Sequence, residues 1–93
     1  MKALVLIKFA SLEGRDAYYR LCRLESVSDS FMMYGRYDAV LILHGRNLED
    51  IHDVILSQIQ PVPGVIEILP CIIVEHDPES PAEQKLAAGH AGT

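Results

Sequence analysis

Ninety-three residues leave room for one domain, because a chain this short cannot close two hydrophobic cores of ordinary size. The formal charge of −5 comes with eight lysines and arginines scattered from Lys2 to Lys85, so no basic cluster can neutralise a row of phosphates, and direct nucleic-acid binding by this chain is set aside. Hydrophobic residues make up 49%, more than so small a monomer hides from water, so some apolar surface is expected to face a partner.

The segment Lys2 to Phe9, KALVLIKF, is apolar at nearly every position and rich in branched side chains, which predicts a strand covered on both faces. Its run Ala3 to Ile7, broken by Lys8, is too short for a signal-peptide core or a membrane span, so a cytoplasmic chain is expected. Ser11 to Gly14 supplies a loop. From Arg15 to about Glu25, Ala17, Leu21 and Leu24 recur at helical spacing with Tyr18 and Cys22 beside them, and Arg15, Asp16, Arg20 and Arg23 take the opposite side. Tyr18 and Tyr19 then point about 100° apart, one to the core and one to the surface or an interface.

A second strand is expected over Val27 to Tyr34 and a third over Tyr37 to His44, joined by Gly35-Arg36 as a type II′ turn, which needs positive φ at its first central residue. Asn47 caps a second helix with Asp50 in a box-like arrangement, and Leu48, Ile51, Val54, Ile55 and Ile59 form its apolar stripe. Pro61-Val62-Pro63-Gly64 ends that helix. Val65 to Glu75 is the last strand, and Pro70 within it requires an edge position or a bulge. Residues 77–93 carry proline and glycine and few large apolar groups, which predicts a mobile tail after a domain over 1–76.

The order β-α-β-β-α-β contains a faint internal echo, Ala3 to Lys8 against Ala39 to His44. Two right-handed β-α-β units interleave into an α+β fold, the ferredoxin-like βαββαβ plait: a four-stranded antiparallel sheet with both helices on one face. A solitary plait should alternate apolar and polar residues along each strand, with the polar set facing water. Here both sets are apolar, Leu4 and Leu6 as well as Val5, Ile7 and Phe9, and Val40 and Ile42 as well as Ala39, Leu41 and Leu43. About six uncovered side chains would forfeit roughly 1.5 to 3 kcal/mol each, comparable to a small domain's whole stability. A homodimer of the dimeric α+β barrel type, packing sheet on sheet and building further, is the expected remedy.

Cys22 and Cys71 lack metal-ligand or redox-motif spacing and are expected as buried thiols. His44, His52, His76 and His90 form no i,i+4 pair, so neither a metal site nor a cofactor is expected, and no catalytic signature is present. The candidate site is Tyr34, Gly35, Arg36, Tyr37 and Asp38, YGRYD. One reading is structural, a tight turn with tyrosines paired across the strands and Asp38 accepting backbone amides. The other is functional: exposed amides around Gly35 to Tyr37 hold a carboxylate while Asp38 holds an ammonium, charge-assisted bonds that suit a zwitterion.

Gly35-Arg36-Tyr37-Asp38, the apolar strand after it, and Pro63-Gly64-Val65 following the second helix together resemble the effector-binding RAM domain of the Lrp/AsnC transcription regulators over about Lys2 to Glu75. The resemblance implies dimers that assemble further, with a small effector such as an amino acid held between dimers near the hairpin at Tyr34 to Asp38. It also implies a non-enzymatic, stand-alone sensing module that co-assembles with full-length regulators, since the sequence starts at the first strand and no helix-turn-helix precedes it. Ile68 and Pro70 stand where many relatives place effector-binding hydroxyls. The alternative reading is a small monooxygenase or haem-degrading enzyme, a class that shares the dimeric plait.

Overall fold

The computed structural model describes residues 1–74, so the expectation of a mobile tail over 77–93 falls outside the described residues. The elements run β1 (Lys2–Phe9), α1 (Gly14–Cys22), β2 (Val27–Met32), β3 (Ala39–His44), α2 (Leu48–Val54), a π-helical turn (Ile55–Ile59) and β4 (Val65–Ile73). The sheet order is β2-β3-β1-β4 and every pairing is antiparallel. Together with two helices on one face, this is the ferredoxin-like plait. The echoing segments are central neighbours, with Leu4 opposite Ile42 and Leu6 opposite Val40.

The core lies between the sheet and the helices. Ala3, Val5, Ile7 and Phe9 of β1 and Ala39, Leu41 and Leu43 of β3 are buried against Ala17 and Leu21 of α1 and against Ile51 and Ile59. Each large side chain removed from water here contributes roughly 1.5 to 3 kcal/mol. The intervening residues Leu4, Leu6, Val40 and Ile42 point to the other face and stay only half-buried. Phe31, Leu69 and Ile73, opposite Val40, Leu6 and Lys2, extend that face and are 50%, 42% and 38% exposed. Lys2, Lys8, Glu67 and Asp29 rim it, placed there by the same register.

Asn47 caps α2 as expected, its Oδ1 accepting the Asp50 N–H at 2.9 Å. The return bond differs from a capping box: Asp50 Oδ2 accepts the backbone N–H of Arg46 at 3.1 Å and its Nε at 3.0 Å. Both bonds, the side-chain one first, hold the Asp50 carboxyl below the usual carboxylate range. The regular helix ends at Val54, and Gln60 N–H reaches back to Ile55 O at 2.8 Å. Ser57 Oγ donates to Asp53 O and so competes for a ladder acceptor. Pro61 offers no N–H to restore the α-helical pattern. Ile59 at the end of this turn is buried in the core, and Gln58 beside it is exposed. Leu48, expected on the buried stripe, sits in the first turn and is 55% exposed.

The expected strand ends at Tyr34 and Tyr37 and the helix end at Glu25 overrun the observed elements, while the expected strand end at Glu75 lies outside the described residues. Cys71, expected to be buried, is exposed on the uncovered face opposite Leu4, because β4 is an edge strand. Pro70 confirms the edge placement that its missing donor required. No helix among the described residues is long and apolar enough to cross a membrane.

Candidate functional site

The chain leaving β1 is tied down by the start of β4. Ala10 N–H donates to Gly64 O at 2.8 Å, Glu13 N–H returns to Ala10 O, and Ala17 N–H takes Glu13 O to open α1. Gly64 has φ +98°, and a Cβ there would stand 2.8 Å from Glu13 Cβ and 3.1 Å from Glu13 O. Only glycine combines that backbone conformation with so close an approach. Pro63-Gly64-Val65 thus fixes the β1–α1 loop.

The β2–β3 hairpin faces this loop. Its register, Met32 opposite Ala39, is the one a turn at Gly35-Arg36 demands, and Gly35 has φ +131°. The ladder nevertheless stops with Met33 N–H donating to Asp38 O at 3.0 Å, and no closing backbone bond forms between Tyr34 and Tyr37. The expected cross-strand pairing of the tyrosines therefore fails. Asp38 supplies the reason, because it is drawn to β1: its N–H donates to Ile7 O at 2.8 Å and its Oδ2 accepts the Phe9 N–H at 2.9 Å. Lys8 Nζ adds a 3.2 Å bond to Arg36 O. Asp38 accepts a backbone amide as the structural reading held, yet the amide belongs to the neighbouring strand.

Between loop, helix and hairpin lies a cleft of about 650 Å³, within the range of small-molecule sites. Tyr34, Gly35 and Asp38 of the five candidate residues line it; Arg36 and Tyr37 do not. Arg36 instead lies over the Tyr37 ring at 5.8 Å. The N–H groups of Tyr34, Gly35, Arg36 and Tyr37 have no protein acceptor among the described residues, and neither does Asp38 Oδ1 engage a donor there. At the cleft itself, Tyr34 and Gly35 bring unpaired N–H donors and Asp38 an unpaired carboxylate oxygen.

Sequence reasoning missed the part of the lining given by Phe9, Gly14 and Arg15. Arg15 reads as one of several polar-face residues of α1, and nothing local marks it; only the crossover that sets the start of α1 beside the hairpin does. Its guanidinium rests over the Tyr19 ring at 5.8 Å. Tyr18 and Tyr19 divide as expected. Tyr18 is half-buried with its OH donating to Ser30 Oγ at 3.3 Å, and Tyr19 is 50% exposed. Ile68 and Pro70 lie elsewhere, in a groove of about 410 Å³ with His52 and Ile55. No group of three or more potential metal ligands occurs among the described residues.

Solved structures share this architecture. TTHA0845 from Thermus thermophilus is 22% identical, with a TM-score of 0.76 over 84% of this chain and 98% of its own. AsnC of E. coli is 16% identical, with a TM-score of 0.75 over 81% of this chain and 51% of its own. The transcriptional regulator NMB0573 of Neisseria meningitidis, solved as a complex with L-Met, is 15% identical, with a TM-score of 0.70 over 90% of this chain and 58% of its own. This chain thus spans little more than half of each of these two regulators, and at such identities the likeness is one of fold. No curated protein sequence matches it. The family model described as the Lrp/AsnC ligand binding domain matches residues 2–77, the whole plait, and on that match the chain belongs to the Lrp/AsnC ligand-binding domain family.

Proposed function

We propose that this chain is a non-catalytic sensing module that assembles through its uncovered sheet face and binds an amino acid at the hairpin Tyr34 to Asp38, between subunits. The observation that carries this reading is the presence of free N–H groups at Tyr34 and Gly35 and of the free Asp38 Oδ1 in residues that line one cleft. An α-carboxylate matches the donors and an α-ammonium matches the acceptor. The regulator NMB0573, solved with L-Met, supports the ligand class by analogy of fold. Among the described residues no histidine or asparagine lines the cleft, and the alternative of a monooxygenase or haem-degrading enzyme draws on the shared plait.

Assembly follows from the apolar face of Leu4, Leu6, Val40 and Ile42, which a second copy would cover. The exposed tip of the hairpin, with Tyr34 fully accessible, is free to meet a further dimer or an Lrp/AsnC-type regulator in the cytoplasm. The mechanism is linkage: a ligand that binds one assembly state better shifts the population toward it, by about 2.7 kcal/mol at a hundred times its Kd. Sedimentation velocity and thermal melts with a panel of the twenty amino acids test the reading. At least one should change the oligomer profile or raise Tm, and Asp38→Asn should abolish that response. Identical profiles and melts with every amino acid would refute it.

A further inference from the structure

The cleft's walls carry information that its polar end does not. Tyr18, Tyr19, Met32 and Met33 line it with Phe9, and Met32, Tyr19 and Met33 are 63%, 50% and 37% exposed. The fold does not explain this placement. Met32 pairs with buried Ala39 at the end of edge strand β2, where a polar residue would serve the sheet equally well. Thioethers and phenol rings are polarisable, and together they fit a ligand's apolar bulk. The Tyr18 hydroxyl is already committed to Ser30 Oγ, so its ring is what the cleft meets.

Charge restricts the ligand further. Among the described lining residues Arg15 is the one cation and Asp38 the one carboxylate. A zwitterionic backbone engages Asp38 on one side and the hairpin amides or Arg15 on the other. A third charge, on the ligand's side chain, would find tyrosines and methionines in place of a partner. Moving a charge against such walls without a counter-ion is costly.

We propose that this cleft selects amino acids with a large apolar side chain, aromatic, thioether or branched aliphatic, over small and over charged ones. This rests on the reading of the cleft as an amino-acid site and specifies its ligand class. A small side chain would leave Met32, Met33 and the tyrosine rings uncontacted, and each missing methylene weakens binding by about tenfold or more.

Isothermal titration of the full chain with Phe, Met, Leu, Ala, Gly, Asp and Lys decides the matter. At least one of Phe, Met and Leu should bind tenfold or more tightly than Ala, Gly, Asp and Lys. Met33→Ala should weaken that ligand by about tenfold while leaving Ala binding unchanged, whereas loss of both alike would mark Met33 as structural and overturn its role as a selecting wall. Tighter or equal binding of Asp, Lys or Gly would overturn the selectivity while leaving the amino-acid site intact. Binding of none of the seven would remove both.

Discussion

Gly64→Ala should be the most damaging small substitution in this chain, and the structure permits a graded estimate. At φ +98° a residue with a Cβ carries backbone strain of about 1–3 kcal/mol. The new methyl would also lie 2.8 Å from Glu13 Cβ and 3.1 Å from Glu13 O. Both belong to the rigid start of α1, where relief requires a backbone shift costing about 1–3 kcal/mol. Alanine restricts the unfolded chain and returns about 0.4–1 kcal/mol. The net loss is then about 1–6 kcal/mol. Gly35→Ala is the internal control, because Gly35 has φ +131° yet nothing within 4 Å of its would-be Cβ. It suffers strain without overlap, so Gly64→Ala should exceed it by about 1–3 kcal/mol. Urea unfolding at one fixed protein concentration, followed by far-ultraviolet circular dichroism, measures both. With a slope of about 1–3 kcal/mol per molar urea, the midpoint gap should be on the order of 1 M. Midpoints for the two variants that coincide would refute the claim that the Pro63-Gly64-Val65 segment is wedged against the β1–α1 loop.

Three further outcomes are expected. Asn47→Ala removes the bond from Asp50 N–H and should cost about 1 kcal/mol in the same unfolding assay. Leu6→Lys places a charge at the centre of the uncovered face and should convert the assembly to a species of about 10.3 kDa by light scattering, with little loss of helix signal. The Asp50 carboxyl titrates lower in the folded chain than in the unfolded one, because Arg46 binds its charged form. Its stabilising effect is therefore complete above the ordinary aspartate value of about 3.9 and fades as pH falls through the lower folded value. Asp50→Asn should flatten the acid limb of a Tm-against-pH curve below about pH 4 and nowhere else.

The plait was legible because its signals are periodic and local: doubled apolar sets in the two central strands, two amphipathic stripes, and a proline that demanded an edge. Asn47 could be named as a cap from its spacing alone, and the structure places its bond there. The hairpin was harder, since Gly35 and the register behave as turn chemistry requires while Asp38 is captured by β1, a strand twenty-nine residues away in sequence. No local rule ranks a cross-strand carboxylate above a turn's own closing bond. The π-helical turn left no trace in the pattern, because Ile55 to Ile59 is the ordinary i,i+4 spacing of an α-helix and reads as a regular continuation of the stripe up to Pro61. Half of the cleft was invisible because Phe9 and Arg15 meet Tyr34 and Asp38 only through the crossover, and sequence pattern carries no distance across a fold.

Pro70 has a consequence beyond marking an edge. Paired with Val5 in the regular part of the ladder, from Lys2 to Lys8, it must turn its donor-less nitrogen outward, so the free border of β4 has a gap at mid-length. A visiting strand would lose a rung there. Lateral growth past β4, the route by which plaits could run on into ribbons, is thereby discouraged. In the proposed assembly a second copy would therefore meet the flat of the sheet and not its rim, leaving the hairpin tips clear for the proposed ligand.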